Sequence, residues 1–188
     1  MTSIVGFALG LLAILVVPGP TNTLLATSGA TVGLARSLPL LLCELIGYET
    51  AVAMIRLLLV PVLARMPSGV RLMHALAAAY LVALAVGLWR WRLARATRAV
   101  RPHHVLITTL LNPKALLIAL VLIPLSTAAD ARYWVVLTLL IPLVGSGWIA
   151  FGRLLSRSAF QGLTALIPKA ASAVLGVFAA ILIVSALR

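Results

Sequence analysis

The sequence is poor in charged residues, above all in acidic ones. Charged residues make up 10% of the 188 positions and apolar residues 63%, whereas soluble domains carry roughly 25% charged residues. So little polar surface excludes a water-soluble fold for a chain of this size. Its apolar runs have the length of bilayer spans, each of which needs about 20 residues. The composition therefore predicts an all-α integral membrane protein with a single domain, 1–188.

Cysteine is almost absent, and no soluble basic face is present. The single Cys43 lies in an apolar run and has no second cysteine with which to form a disulfide within the chain. The net charge is +12, but the cations stand in short stretches between apolar runs, which is where they set membrane topology. Nucleic-acid-binding proteins instead gather cations on one soluble face. No nucleic-acid partner is therefore expected, whereas contact with membrane lipid is.

Six apolar runs are expected to span the membrane as helices. They lie at 4–27, 38–63, 72–91, 104–126, 133–152 and 170–187. The first run has no basic residues before it, so it is expected to stay as a span rather than to be cleaved as a signal peptide. Most Lys and Arg residues fall in the first, third and fifth connections. The positive-inside rule then predicts both termini outside the cell.

Two of these spans contain residues that interrupt a helix. Pro18-Gly19-Pro20 lies in the first span and is followed by Thr21 and Asn22. Proline has no N–H to donate and disrupts the preceding turn. Backbone groups freed at membrane depth persist only where protein or a water-filled cavity satisfies them. This segment is therefore predicted to line a binding site.

Asn112-Pro113-Lys114 forms the corresponding interruption in the fourth span and adds an amide and a cation. Given the predicted orientation, both interruptions are expected in the inner half of the bilayer, where they could face each other. Broken helices at similar depth in two halves of a chain are the best sequence indication of a transporter binding site. Isolated prolines elsewhere, such as Pro142, are interpreted as simple kinks.

These two motifs, in this order and at the ends of these apolar runs, resemble those of the lysine exporter (LysE/RhtB) family of amino-acid translocators. The resemblance covers the whole chain: its size, its six predicted spans, the basic central connection and both motifs. It implies two three-helix halves of opposite orientation in the bacterial inner membrane. It also implies efflux of amino acids or related small zwitterions, driven by the proton-motive force.

Two of the three carboxylates, Glu44 and Glu49, lie in the second predicted span. An acid inside a membrane is costly and is a candidate for function by default. Either acid could carry a coupling proton or hold a substrate ammonium group. Their spacing separates them by about 140° around a helix, so they are not expected to share one site, and Glu49 is preferred. The structural alternative is an ion pair of Glu49 with Arg56, or of either acid with Lys114.

The proposed binding residues combine amides, a hydroxyl and the exposed backbone. Thr21, Asn22 and Asn112 are expected to bind the substrate together with the peptide groups of Pro18-Gly19-Pro20 and Pro113. Lys114 is expected either to meet a substrate carboxylate or to neutralise one of the two glutamates. The alternative is that Lys114 extends to the cytoplasmic headgroups. No cofactor or resident metal is expected.

Other functions fit the sequence less well. A metal-ion exporter would need soft or carboxylate ligands clustered at one depth, and an enzyme acting on lipid would need a catalytic constellation near one interface. The nucleotide-binding motif G-x-x-x-x-G-K-[ST] is missing, so ATP hydrolysis is not expected. Small residues recur on three helix faces and predict close packing, either within the chain or in a homodimer. They are Cys43, Gly47 and Ala51; Ala75, Ala79, Ala83 and Gly87; and Ser172, Gly176 and Ala180.

Overall fold

The computed structural model describes residues 3–65, 100–124 and 131–156, together with isolated positions within 72–86 and 176–184. The described residues are almost all helical and include no strand, so the predicted all-α class is confirmed for them. Two of their helices are long and apolar enough to cross a membrane, or up to four spans if each of two bent helix pairs counts as one. The predicted spans 72–91 and 170–187 lie outside the described residues, apart from isolated positions.

The first bent pair consists of α1, Ile4–Val16, and α2, Pro20–Val32, whose axes differ in direction by 63°. The α1 helix begins at a Ser3 cap, whose Oγ accepts a hydrogen bond from the Gly6 amide at 3.0 Å. It ends where Val17 takes an extended conformation, because a residue before proline avoids the helical region. The second helix continues five residues beyond the predicted end of span one at position 27.

The helix α3, Leu34–Leu63, is a continuous apolar helix of 30 residues. It begins directly after Gly33, whose φ of 86° ends α2 in a conformation that favours glycine. The break at Gly33 falls within the connection expected between the spans 4–27 and 38–63, and Arg36 and Ser37 belong to the first turn of α3. Ser37 is buried and hydrogen-bonds the Gly33 carbonyl and the Ser28 hydroxyl, both at 2.7 Å. A buried, fully partnered serine does not interrupt the helix.

The second bent pair consists of α4, Pro102–Leu110, and α5, Lys114–Leu122, with 46° between their axes. The last helix described is α6, Ala131–Leu155, of 25 residues. The described ranges contain two π-helical turns, Ile55–Leu59 within α3 and Ile118–Leu122 at the end of α5. Each comes just before a proline, Pro61 or Pro124, and a proline cannot donate to the carbonyl four residues earlier.

The helices pack so that each bent pair lies against the long helix that follows the other pair. The α2 helix crosses α6 at Gly29 and Gly152, where a Cβ on either glycine would overlap a backbone carbonyl of the other helix. The α4 helix packs on α3 at Gly47, where a Cβ would lie 2.8 Å from the Thr109 Cβ. The stripe that contains Gly47 therefore packs within the chain. The stripes of the third and sixth spans lie outside the described residues, apart from isolated positions.

Substitution of Gly152 by alanine is expected to lower stability strongly. The added Cβ would overlap the carbonyl of Ala26, and a backbone group cannot move aside as a flexible side chain can. Overpacking costs typically 1–3 kcal/mol, and we expect the upper part of that range, about 3 kcal/mol, for Gly152→Ala. Thermal unfolding in detergent measures the effect. Gly147→Ala on the same helix is the control, because Gly147 is exposed and a Cβ there would meet no atom of the described residues within 4 Å; equal losses in the two variants would contradict the close crossing.

Candidate functional site

The interruption of the first bent pair leaves carbonyl groups without helical partners, and a buried amide binds them. Asn22 lies in the first turn of α2, and its Nδ2 donates hydrogen bonds to the carbonyl oxygens of Leu15 and Val17, both at 2.8 Å. Thr23 Oγ1 donates to the Gly19 carbonyl at 2.8 Å. The side chains that follow Pro20 thus satisfy the backbone on both sides of the break, as burial requires.

The interruption of the second bent pair is organised by Asn112. The Asn112 side chain is 3% exposed, and its Oδ1 accepts a hydrogen bond from the Lys114 amide at 3.0 Å. The backbone N–H of Asn112 donates to the Thr109 carbonyl at 3.0 Å. Pro113 then stands at the start of α5, where its missing N–H leaves no helical bond unmade. Asn112 therefore closes α4 and opens α5.

A hydrogen-bonded network joins the two interruptions directly. Asn112 Nδ2 donates to Thr21 Oγ1 at 3.0 Å and to the Tyr48 hydroxyl at 2.9 Å. Thr21 Oγ1 lies 3.2 Å from Thr109 Oγ1. Because Thr109 donates its proton to the Val105 carbonyl at 2.7 Å, Thr21 is the donor in the pair of hydroxyls. This network connects α2, α3 and α4 at the point where both bent pairs change direction.

Lys114 lies beside this network and does not reach a membrane surface. Its side chain is 1% exposed, and its ammonium donates to the carbonyl of Leu15 at 3.4 Å and to that of Val17. The side chain passes Gly19, where a Cβ would lie 3.2 Å from the Lys114 Cε. The alternative in which Lys114 extends to the cytoplasmic headgroups is therefore wrong for this conformation.

Glu44 is the acid that lies near this lysine. It is 2% exposed, and its Oε2 has no hydrogen-bond partner in the described part of the chain. The carboxylate occupies the space where a side chain on Gly145 of α6 would stand. The charges of Glu44 and Lys114 interact electrostatically. A buried carboxylate with an unpartnered oxygen is costly, and the positive charge of Lys114 offsets part of this cost.

Glu49 and Arg56 lie elsewhere. Glu49 is half-buried, and its Oε1 accepts a hydrogen bond from Thr138 Oγ1 at 2.5 Å. Arg56 is buried and donates to the carbonyl oxygens of Ala119 at 3.0 Å and Ile123 at 2.8 Å, rather than to Glu49. The structure thus places Glu44, and not the acid preferred from the sequence, beside Lys114.

The structure brings together most of the residues that the sequence analysis selected. Thr21, Asn22, Asn112 and Lys114 form one buried cluster, with Glu44 at its edge. Tyr48 and Thr109 also belong to the cluster, although neither is among the site residues predicted from the sequence. A signal for both is present, because residues three or four apart on a helix share a face. Thr109 stands three residues before Asn112, and Tyr48 stands four residues after Glu44.

No protein-family model, no curated protein and no solved structure matches the chain. Within the described ranges, no three His, Cys, Asp or Glu side chains are grouped so that they could hold a metal ion. The chemistry of the cluster is instead that of amides, hydroxyls, backbone carbonyls, one ammonium and one carboxyl group. These groups suit an organic ligand with both donors and acceptors.

Proposed function

We propose that this protein is a secondary exporter of amino acids or related small zwitterions, driven by the proton-motive force, in the bacterial inner membrane. The observation that carries the proposal is the meeting of two interrupted helix pairs at one buried polar cluster. Interrupted helices at membrane depth are typical of substrate sites in secondary transporters. The resemblance of Pro18-Gly19-Pro20 and Asn112-Pro113-Lys114 to the LysE/RhtB motifs supports the same function. In the proposed arrangement the chain has six spans in two halves, with both termini outside the cell. A homodimer of the chain is compatible with this arrangement.

The polar groups of the cluster match the two ends of a zwitterion. Ionised groups in a low-dielectric interior are rare unless they are paired or functional, and Lys114 and Glu44 bring one of each sign. Thr21, Asn22 and Asn112 add hydroxyl and amide groups within the same buried region. A substrate that carries both an ammonium and a carboxylate can exchange partners with these groups without leaving a charge uncompensated.

Proton coupling is assigned to Glu44. A proton on its carboxylate removes the negative charge that compensates Lys114, and loss of that proton restores it. The charge balance of the cluster therefore depends on whether Glu44 is protonated, because only the ionised carboxylate can pair with an ammonium group. A proton on Glu44 and a substrate that needs the ionised carboxylate then exclude each other, which is the requirement for their exchange across the membrane.

Transport into inside-out membrane vesicles tests this function. Respiration acidifies the lumen of such vesicles, which corresponds to the outside of the cell. An exporter that exchanges its substrate for protons should therefore accumulate substrate in the lumen as protons leave it. We expect saturable accumulation of at least one labelled amino acid, abolished by a protonophore and missing from vesicles without the protein. No accumulation of any amino acid or related zwitterion by folded protein would sink the proposal.

A further inference from the structure

The carbonyl oxygens of Leu15 and Val17 receive more donors than the end of a helix needs. Asn22 Nδ2 donates to both, and the ammonium of Lys114 donates to both as well. A carbonyl oxygen has two lone pairs, so each of these oxygens is saturated by one amide hydrogen and one ammonium hydrogen. These two carbonyls, held by Asn22, form a built site for one cation, which we call the ammonium cradle.

The electrostatics of the cradle also favour a cation. It lies at the C-terminal end of α1, a helix of 13 residues, where aligned peptide dipoles leave a partial negative charge. The Lys114 ammonium is buried there, and its hydrogen-bond partners in the described part of the chain are carbonyl oxygens, with no carboxylate among them. The two carbonyl oxygens therefore bind a buried positive charge without a carboxylate among the hydrogen-bond acceptors in the described residues.

The cation and the cradle come from different helix pairs. Lys114 is the first residue of α5, whereas the carbonyls belong to the end of α1. The side chain reaches them by passing Gly19, whose missing Cβ leaves the necessary space. A second partner is close, because Glu44 has an unpartnered Oε2 and interacts electrostatically with Lys114. The ammonium can therefore change partners without leaving the protein interior.

We propose that the ammonium cradle is a binding site for a primary ammonium group and that Lys114 occupies it as an internal ligand. The ammonium group of the exported substrate takes this place when the Lys114 ammonium moves to the Glu44 carboxylate. Occupation by a substrate rests on the proposed function, whereas binding of a free amine to the vacated cradle does not.

Chemical rescue of Lys114→Ala tests the cradle without any transport assay. The substitution removes three carbons and the nitrogen, which are the atoms that n-propylammonium supplies. Since a ligand that binds only the folded state raises its stability, we expect propylammonium to raise the Tm of purified Lys114→Ala by about 3 °C or more. The wild-type protein, whose cradle is filled, should shift by less than about 1 °C under the same conditions.

Three matched additives and one variant define the specificity. 1-Propanol has the same length without charge, tetramethylammonium has charge without an N–H, and sodium chloride supplies a bare cation; none should stabilise Lys114→Ala. In Lys114→Met, an uncharged side chain fills the space beside Gly19 that the lysine side chain occupies in the wild type. Propylammonium should therefore not stabilise this variant. Stabilisation by sodium or tetramethylammonium equal to that by propylammonium would overturn the ammonium site, as would no response to propylammonium.

The remaining outcomes are also decisive. If Lys114→Ala unfolds in amine-free buffer, the yield of folded protein with propylammonium becomes the readout, and a yield that stays at zero overturns the cradle. In wild-type vesicles, propylammonium should inhibit uptake competitively and 1-propanol should not. Uptake that propylammonium leaves unchanged would overturn the exchange with substrate, whereas vesicles that show no uptake would refute the proposed function and leave the Tm result standing.

Discussion

Glu44→Gln is expected to lower proton-driven accumulation more than about 10-fold, and substrate exchange without a gradient with it, because Lys114 then has no carboxylate to which it can move. The glutamine has nearly the same shape and fits beside Gly145, but it cannot take up or release a proton. Glu44 is the buried acid, 2% exposed, whose charge interacts with Lys114. The measurement compares gradient-driven uptake with counterflow exchange in the same vesicles, with the Tm of the variant determined in parallel.

Glu49→Gln is the matched control for this experiment. Glu49 lies on the same helix and undergoes the same chemical change, but it is half-buried. Its carboxylate accepts a hydrogen bond from the Thr138 hydroxyl, and the amide oxygen of a glutamine can accept the same bond. We expect its accumulation to stay within about twofold of the wild type. The reverse pattern, in which Glu49→Gln loses accumulation and Glu44→Gln retains it, would move the coupling proton to the acid that the sequence favours.

Arg56→Leu is expected to cause a large loss of stability at a site outside the polar cluster. The Arg56 guanidinium donates to three carbonyl oxygens at the end of α5, those of Ala119, Ile123 and Pro124, at 2.8 to 3.0 Å. Each buried acceptor left without a donor costs about 1–3 kcal/mol, and part of this is offset because the cost of burying the guanidinium also disappears. We expect a net loss of about 3 kcal/mol, measured by unfolding in mixed micelles.

Arg56→Lys and Arg65→Gln separate the role of geometry from that of charge. A lysine keeps the charge but loses the planar fork of donors, so an intermediate loss is expected. Arg65, near the end of the same helix, is exposed, and its substitution should change stability by less than about 0.5 kcal/mol. A wild-type stability for Arg56→Leu would show that the end of α5 is satisfied without this side chain.

These two predictions concern separate parts of the molecule. Arg56 joins the two π-helical turns, Ile55–Leu59 and Ile118–Leu122, because it projects from the first and binds carbonyls of the second and of the residues after it. The polar cluster lies instead where the bent pairs change direction. Arg56→Leu should therefore lower the stability of the protein. Glu44→Gln should instead impair the coupling of transport to protons in a protein that remains folded.

Local chemistry determines those features of this chain that can be predicted from its sequence. Low charge and long apolar runs predict helices, because every backbone group in lipid must be satisfied within its own segment. The prolines at 18 and 20, and Asn112 before Pro113, identify positions at which a helix loses its hydrogen bonds. The start of α3 at Leu34 could not be predicted in this way, because composition does not show that Ser37 is buried and hydrogen-bonded to Ser28.

The partners of each polar side chain could not be predicted in the same way. The spacing of Glu44 and Glu49 correctly separates them around a helix, but it does not say which one faces the interior. The crossing of α3 and α6 decides that, because Gly145 leaves the space that the Glu44 carboxylate fills. Likewise, the Lys114 ammonium can donate to many kinds of acceptor, and the sequence does not show which one it meets. Its partners are the carbonyls of Leu15 and Val17 because the end of α1 packs beside it.

The sequence alone therefore predicted the helical class, apolar helices long enough to cross a membrane and the residue types available for a site. These properties follow from composition and from the covalent limits of proline and glycine, which act within a few residues. The tertiary structure decided that Lys114 lies in the ammonium cradle, that Glu44 accompanies it and that Tyr48 and Thr109 complete the network. Such contacts join residues up to 99 positions apart, and their energies depend on burial and on partners that only packing brings together.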